Sequence, residues 1–303
     1  MTLLDLIIIG AGPAGMTAAI YAKRMGLSLQ VIADTVGGQV LRTDNVENFP
    51  SQESIPGPQL TRLIFNQLEN LKIDIELTRV AKIEQSEGIF RVTTGDGHTY
   101  ESKVMIVASG ARWREMGVPG EKEYINKGVS YCTTCDAPLF RDMDVAVIGG
   151  ANSAAESVLN LVNLTSRIYM IVRSELKCDQ MLADSIKSSG KVTVMTGYSI
   201  EKVNGNDFVE SIDIVSKSGE RKTLPVSGVF VEIGQEPNVD FVKDLVKLNA
   251  KGEIIVDEYC RTSTRGLFAA GDVTSVPQKR IVVAAGEGAK AAMSVFTYIY
   301  SHR

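Results

Sequence analysis

Leu6-Ile7-Ile8-Ile9-Gly10-Ala11-Gly12-Pro13-Ala14-Gly15 is the stretch that decides the fold. Four apolar residues without alternation predict a parallel strand buried on both faces. Three glycines follow, and then a run from Met16 to Met25 carrying Ala18, Ala19 and Ala22, which predicts a helix closed by Gly26. Leu29 to Ala33 predicts the next strand, ending at Asp34. Strand, glycine turn, helix and strand within about thirty residues make a βαβ unit. Gly10 permits the tight turn, Gly12 leaves no side chain in the path of a pyrophosphate, and Gly15 lets helix and strand close together. The phosphates would lie against the helix N-terminus, where free N–H groups and the dipole favour negative charge. Asp34 stands about twenty residues beyond the turn, where a carboxylate can hold ribose hydroxyls. A strand-end aspartate is as often a solvated turn residue.

The pattern recurs in mid-chain. Asp144–Ile148 predicts a strand, Gly149-Gly150-Ala151-Asn152-Ser153-Ala154 a turn, Ala155 to Val162 a helix and Ile168–Val172 the next strand. Hairpins are predicted for Gly88–Thr94 with His98–Glu101, around Gly95-Asp96-Gly97, and for Val209–Ser216 with Arg221–Leu224. The expected architecture is α/β: two Rossmann-like, three-layer ββα nucleotide-binding domains, the second inserted into the first. The first domain would span 1–112 and 239–303 and the inserted one 113–238. Its crossings would lie near Ala111–Met116, where Trp113 would pack, and near Gly234–Asn238.

A length of 303 residues suits two domains. Net charge −4 gives no reason to expect a nucleic-acid partner. No apolar run reaches the ~18 residues of a membrane span. The N-terminus enters a strand directly, with no basic region or cleavage site, so a cytoplasmic location is expected. Four cysteines in such a chain are too few for a disulfide scaffold.

Two of the four stand in Cys132-Thr133-Thr134-Cys135-Asp136. This spacing closes a small disulfide ring, often at a helix N-terminus that stabilises thiolate, or it forms half of a zinc site. Zinc needs two more ligands, and Cys178, Cys260, His98 and His302 offer no second paired spacing. The redox pair is the better reading, with no metal expected. Asp136 is a candidate proton donor to a leaving thiolate, or a helix cap. Cys178 and Cys260 read as structural.

Cys-x-x-Cys-Asp just before a second dinucleotide turn, in a chain opening Gly-Ala-Gly-Pro-Ala-Gly, resembles the low-molecular-weight thioredoxin reductase family. The likeness extends along the chain. Thr264-Arg265-Gly266-Leu267-Phe268-Ala269-Ala270-Gly271-Asp272 resembles the family's second flavin motif, whose aspartate holds the ribityl chain. Gly37-Gly38-Gln39 and Val46-Glu47-Asn48 resemble its FAD loops, and Val107-Ala108-Ser109-Gly110-Ala111 its Ala-Thr-Gly crossing. The run Val276 to Ala291, with Gly286-Glu287-Gly288-Ala289-Lys290-Ala291, resembles the flavoprotein subunit of alkyl hydroperoxide reductase more closely still. That subunit has an extra N-terminal redox domain, which is not expected here because the first turn begins at Gly10.

The resemblance implies bound FAD on Gly10, Gly12, Ala14, Gly15, Asp34, Gly38, Gln39, Asn48, Ala108, Gly110, Gly271, Asp272, Arg280 and Ile281. It implies Cys132, Cys135 and Asp136 as the catalytic residues. Cys135 would take electrons from the flavin and Cys132 would attack the disulfide of thioredoxin or a similar small dithiol protein. A homodimer is the family's usual state. The expected activity is thioredoxin-disulfide reduction. The alternative is an NAD(P)H-dependent reductase of a peroxiredoxin or glutaredoxin-like partner.

The departures concern the electron donor. Ala151 puts a methyl group where a pyrophosphate should approach. NADPH-using relatives carry His-Arg-Arg at the positions of Val172, Arg173 and Ser174. Here Arg173 stands without the second arginine, and Lys177 is a weaker substitute. The glutamate of NADH-using relatives corresponds to Ile171. NADPH and NADH are therefore expected to be poor donors, and reduced ferredoxin is a candidate in their place. Arg280 replaces the family's flavin-side glutamine, and Ala137 the glycine after the catalytic aspartate.

Overall fold

The computed structural model describes residues 3–43 and 46–301, so His302 lies outside the described residues. In chain order the elements are β1 (Leu4–Ala11), α1 (Pro13–Arg24), β2 (Leu29–Val36), α2 (Gly57–Asn70), β3 (Ile75–Leu77), β4 (Val80–Ser86), β5 (Ile89–Thr94), β6 (Thr99–Val107) and β7 (Ala111–Trp113). There follow β8 (Val129–Ser130), α3 (Thr133–Asp136), β9 (Asp144–Ile148), α4 (Asn152–Val162), β10 (Arg167–Val172), α5 (Gln180–Ser188), β11 (Val192–Thr196), β12 (Tyr198–Gly205), β13 (Val209–Ser216), β14 (Arg221–Pro225) and β15 (Gly228–Val231). Last come β16 (Gln235–Pro237), β17 (Leu267–Ala269) and α6 (Ile281–Ser301). The chain divides into two compact units, 1–112 with 236–303, and 113–235. The return crossing thus falls at 235/236 rather than at 238/239.

The first unit is built on a sheet of order β3-β2-β1-β6-β5-β4, with β17 also paired to β6. β1 runs parallel to β2 and to β6, while β5 joins β6 antiparallel. Along its edge away from β1, β6 is long enough to serve two partners. Its Thr99–Ser102 half pairs with β5, and its Met105–Val107 half pairs with β17. The unbroken apolar run of β1 follows from burial on both faces. Leu6 and Ile8 pack with Met16, Ala18, Ala22, Ala291 and Val295 of α1 and α6. Ile7 and Ile9 pack on the other face with Val239, Val242 and Val246. Each such side chain contributes roughly 2–3 kcal/mol of hydrophobic burial.

In the second unit a parallel sheet of order β11-β10-β9-β15-β8 lies between a helical layer and a three-stranded antiparallel sheet, β12-β13-β14. Val145, Val147, Ile168 and Met170 face Ala154, Val158 and Leu161 of α4 and Ile186 of α5. Ala146, Ile148 and Ile171 face Val203, Ile212 and Ile214 of the antiparallel sheet. These are the three ββα layers expected. Several boundaries differ from the sequence reading: β1 extends to Leu4 and Ala11, α1 begins at Pro13, β2 runs on to Val36, α4 begins at Asn152, directly after the turn, and β6 runs on to Val107. Among the described residues no helix is long and apolar enough to cross a membrane.

Candidate active site

In the first unit the glycine turn is shaped by what a side chain would strike. Gly10 has φ +105°, and a Cβ on it would lie 2.3 Å from the Ala108 carbonyl oxygen. A Cβ on Gly15 would lie 1.9 Å from the Gly10 carbonyl oxygen. Gly12 is different. It is the N-cap of α1 with extended backbone (φ −77°, ψ −174°), no side chain caps the helix, and a Cβ there meets nothing within 4 Å. Gly38, at φ +60°, faces Gly12, its would-be Cβ 3.5 Å from the Gly12 Cα. The Gly37 N–H, donating to the Ala11 carbonyl at 2.8 Å, brings that loop back over the turn. The result is a groove bare of side chains at the start of a twelve-residue helix, the shape and polarity a pyrophosphate needs.

The flanking residues fit a larger ligand along this groove. Gln39 donates Nε2–H to the Ala111 carbonyl at 2.6 Å, while its Oε1 is buried with no hydrogen-bond partner. A buried acceptor left open is a place for a ligand donor. Gly271, at φ +77°, packs against Ala14, its would-be Cβ 2.9 Å from the Ala14 Cβ. Beside it, burial pushes the Asp272 carboxyl above the ordinary aspartate range, and Lys279 offsets this in part. Ile281, the first residue of α6, packs on Val40, Val46, Ile55 and Leu60. Ala108 anchors the turn through its N–H to the Ile9 carbonyl at 2.7 Å. Gly110 accepts from the Asn238 N–H at 3.0 Å. Three candidates stand apart from this cluster. Asp34 is exposed and pairs with Arg79 at 3.5 Å, Asn48 is exposed, and Arg280 is exposed with an Nη1 bond to the Lys279 carbonyl at 2.8 Å.

Sequence reading passed over the residue that holds this end together. Glu287, 6% exposed, accepts from the Gly271 N–H at 3.0 Å and faces Thr274 Oγ1 at 3.5 Å. The neighbouring Gly288 lets α6 touch α1, since a Cβ there would lie 2.1 Å from the Ala14 carbonyl oxygen. The small residues around Glu287 were the only signal in the sequence.

In the second unit Cys132 and Cys135 form a disulfide, with Cα atoms 5.3 Å apart. The turn closing it is short: the N–H groups of Cys135 and Asp136 both donate to the Cys132 carbonyl at 3.1 Å. α3 is a single turn that passes into a 3-10 turn, Ala137–Phe140, and not the longer helix such motifs often open. Ser130 Oγ donates to Asp136 Oδ2 at 2.6 Å and accepts from the Cys132 N–H at 3.1 Å. The acid is thereby fixed beside the pair. Glu121, 1% exposed, accepts from the N–H groups of Met116 and Gly117 at 2.7 Å and from Tyr131 Oη at 2.6 Å. Trp113 stacks on Tyr131, ring centroids 5.5 Å apart. Ser130 and Glu121 also escaped the sequence reading. The other two cysteines are free: Cys178 is half-buried, and burial pushes the Cys260 thiol up to about 11.

The second glycine turn carries a methyl group at the position of Gly12 and a side-chain pair beside it. Gly149, at φ +147°, leaves no room for a Cβ, which would lie 2.2 Å from the Glu232 carbonyl oxygen. Ala151 is the exposed N-cap of α4, with φ −98° and ψ −176°. The Lys177 N–H donates to the Gly150 carbonyl at 2.7 Å. Asn152 and Asp179 then bond each other twice at 2.9 Å, Asn152 Nδ2–H to Asp179 Oδ2 and the Asp179 N–H to Asn152 Oδ1. Arg173, Ser174 and Lys177 are exposed beyond β10, and Ile171 is buried in it.

Residues 4–288 match the family model described as pyridine nucleotide-disulphide oxidoreductase. The chain is 40% identical over 298 residues to the F subunit of alkyl hydroperoxide reductase from Staphylococcus aureus, covering 97% of this chain and 59% of the relative. It is 40% identical over 297 residues to a protein of Bacillus subtilis named NADH dehydrogenase, covering 97% and 58%. The chain thus spans about three fifths of the length of these relatives. Among solved structures, thioredoxin reductase from Streptococcus pyogenes superposes with a TM-score of 0.91 at 38% identity, covering 99% of each chain. The matched family binds FAD. With a disulfide at Cys132–Cys135 and a fold like that of thioredoxin reductases, the chain belongs to the pyridine nucleotide-disulphide oxidoreductase family.

Proposed function

We propose that this chain is a flavin-dependent protein-disulfide reductase that acts through Cys132 and Cys135 on thioredoxin or a similar small dithiol protein, and that NADPH and NADH are not its working donors. The observation that carries the reading is a closed Cys132–Cys135 disulfide in a chain whose other unit offers a bare phosphate groove at Gly12 and Gly38. The Gly10–Gly15 turn, Gly38, Gln39 and Asp272 would hold FAD, which when bound would supply the two-electron chemistry needed to open the disulfide. The Cys132 thiolate then attacks the partner's disulfide. One partner sulfur leaves as a thiolate, which Asp136 can protonate, and a mixed disulfide remains. Cys135 attacks that bond, releases the second partner thiol and restores the Cys132–Cys135 disulfide.

The test is a pair of variants. Cys132→Ser and Cys135→Ser should each abolish reduction of thioredoxin while retaining full flavin. Disulfide reduction surviving in either variant, or zinc bound tightly by the wild type, would overturn the reading.

The donor assignment rests on the second turn. The Ala151 methyl group, the Asn152–Asp179 pair and the missing second arginine at Ser174 together crowd the phosphate path and weaken its grip. Losing one charge-assisted contact costs about 1.5–3 kcal/mol, tenfold or more in affinity. Reduced ferredoxin is the candidate donor in their place. A second reading draws on the relatives named as NADH dehydrogenase and as the F subunit of alkyl hydroperoxide reductase. In it the chain is an NAD(P)H-dependent reductase of a peroxiredoxin or glutaredoxin-like partner. Rapid flavin reduction by NADH together with turnover of such a partner would select it.

A further inference from the structure

Glu232 follows β15 and has no part in the chemistry above. Its Oε1 accepts two hydrogen bonds, from Thr133 Oγ1 at 3.0 Å and from Ser157 Oγ at 2.7 Å. Thr133 is next to Cys132, is 3% exposed, and opens the turn that carries Cys135. Ser157 lies on the buried side of α4 and is 6% exposed. One carboxylate oxygen therefore ties the redox turn to the helix that follows the second glycine turn. The main chain is held as closely, because the Glu232 carbonyl oxygen stands against Gly149.

Both hydroxyls use the same oxygen, so a glutamine at this position could accept the same two bonds through its amide oxygen. The hydrogen bonds do not require a charge, and holding a carboxylate in a partly buried site carries a desolvation cost. The charge therefore has a consequence of its own. Reduction of the disulfide takes two electrons and two protons and leaves two thiols, one of which must ionise to react. A carboxylate fixed one residue from Cys132 opposes that ionisation. Wherever one cysteine of the reduced pair is ionised, so that reduction takes two electrons and one net proton, the carboxylate weakens the reduced form relative to the disulfide.

We propose that Glu232 is a positioning residue of the dithiol centre, and that its negative charge, held against the Thr133 turn, makes the Cys132–Cys135 pair a stronger reductant. The proposal rests on the reading of this pair as the redox centre.

The test uses the full-length flavoprotein equilibrated in dithiothreitol redox buffers, quenched with acid and alkylated. The peptide bearing residues 132–135 is then counted for thiols by mass spectrometry. The wild type should show one two-electron transition, and its absence would defeat the proposed function itself. Glu232→Gln, which keeps both hydrogen bonds, should make the pair about tenfold easier to reduce, about 30 mV for a two-electron couple. Glu232→Ala should move it the same way. Glu156→Gln, an exposed neutralisation on the same helix, should leave it unmoved. A further readout is alkylation of the reduced pair near pH 6.5, which should be faster in Glu232→Gln. A shift below roughly threefold in Glu232→Gln, a shift of opposite sign, or an equal shift in Glu156→Gln would overturn the proposal, whatever happens to thermal stability.

Discussion

At the start of α1 the N-cap residue is Gly12, with φ −77° and ψ −174°, and at the start of α4 it is Ala151, with φ −98° and ψ −176°. The backbone is nearly the same, and any residue can adopt it. Each turn begins with a glycine at positive φ pressed against a carbonyl oxygen, of Ala108 in one unit and of Glu232 in the other. In each, the loop after the second strand returns an N–H to the middle residue of the turn, Gly37 to Ala11 and Lys177 to Gly150. The two loops differ in their next residues. Beyond Gly37 stand Gly38 and Gln39, which leave Gly12 open. Beyond Lys177 stand Cys178 and Asp179, and Asp179 is bonded to Asn152. Gly10 and Gly149 meet the same backbone demand in both units, while the position of Gly15 is Ala154 in the second. The glycine at Gly12, which we propose leaves room for a ligand, is found in the first unit only, its counterpart being Ala151.

The largest expected effect separates these two roles. Gly12→Val should fold, because its Cβ meets nothing, but it should be colourless, with FAD affinity reduced at least about a hundredfold. Ala151→Val should keep its flavin in full. Absorbance of the purified proteins, beside their melting temperatures, decides this. A yellow Gly12→Val protein would break the comparison.

Gly10→Ala and Gly149→Ala should behave alike instead. Each forces an L-residue into positive φ and sets its Cβ within 2.3 Å and 2.2 Å of a carbonyl oxygen. A loss of about 3 kcal/mol or more of stability is expected for each in urea unfolding. A mild effect at Gly149 would mean that the second turn had relaxed.

Alkaline pH should distinguish the units further. The buried Cys260 thiol of the first unit is pushed up to about 11, so the folded state holds its proton more tightly than the unfolded chain. The associated stability is present in full below about pH 9 and is lost as pH rises through 11, roughly 2–3 kcal/mol in all. Cys260→Ala should remove that part of the alkaline slope, measured as the urea midpoint at pH 8 and pH 10.5.

The smallest effect is a gain. Ala151→Gly with Ser174→Arg restores one phosphate approach and one charged contact, and should raise the rate of flavin reduction by NADPH about tenfold. No gain would mean that Cys178 and the Asn152–Asp179 pair block the path on their own.

How much the sequence made legible depends on the range of the interactions involved. Gly10, Gly15 and Gly149 could be read because φ and close approach are local demands that glycine alone meets. β1 and β9 could be read because burial on both faces writes an unbroken apolar run. Cys132 and Cys135 could be read because a disulfide at this spacing needs no distant partner. Glu287, Glu121, Ser130 and Glu232 could not be read in this way. Each is an ordinary polar residue whose meaning comes from partners that folding brings to it, such as Gly271, Tyr131, Asp136 and Thr133. Asp34 shows the converse. It stands at the spacing of a ribose carboxylate, yet its ion pair is with exposed Arg79. β12 and the first turn of α4 were missed because Tyr198–Gly205 and Asn152–Ala154 carry no strong periodicity.

We propose that the first glycine turn takes a dinucleotide and that the second, with Ala151 in place of Gly12, does not. The most direct test is anaerobic stopped-flow mixing of the oxidised flavoprotein with micromolar NADPH, NADH or reduced ferredoxin, following the flavin absorbance. Neither pyridine nucleotide should bleach the flavin on the millisecond-to-second scale of turnover, while reduced ferredoxin should. Rapid bleaching by NADPH or NADH would contradict the proposal.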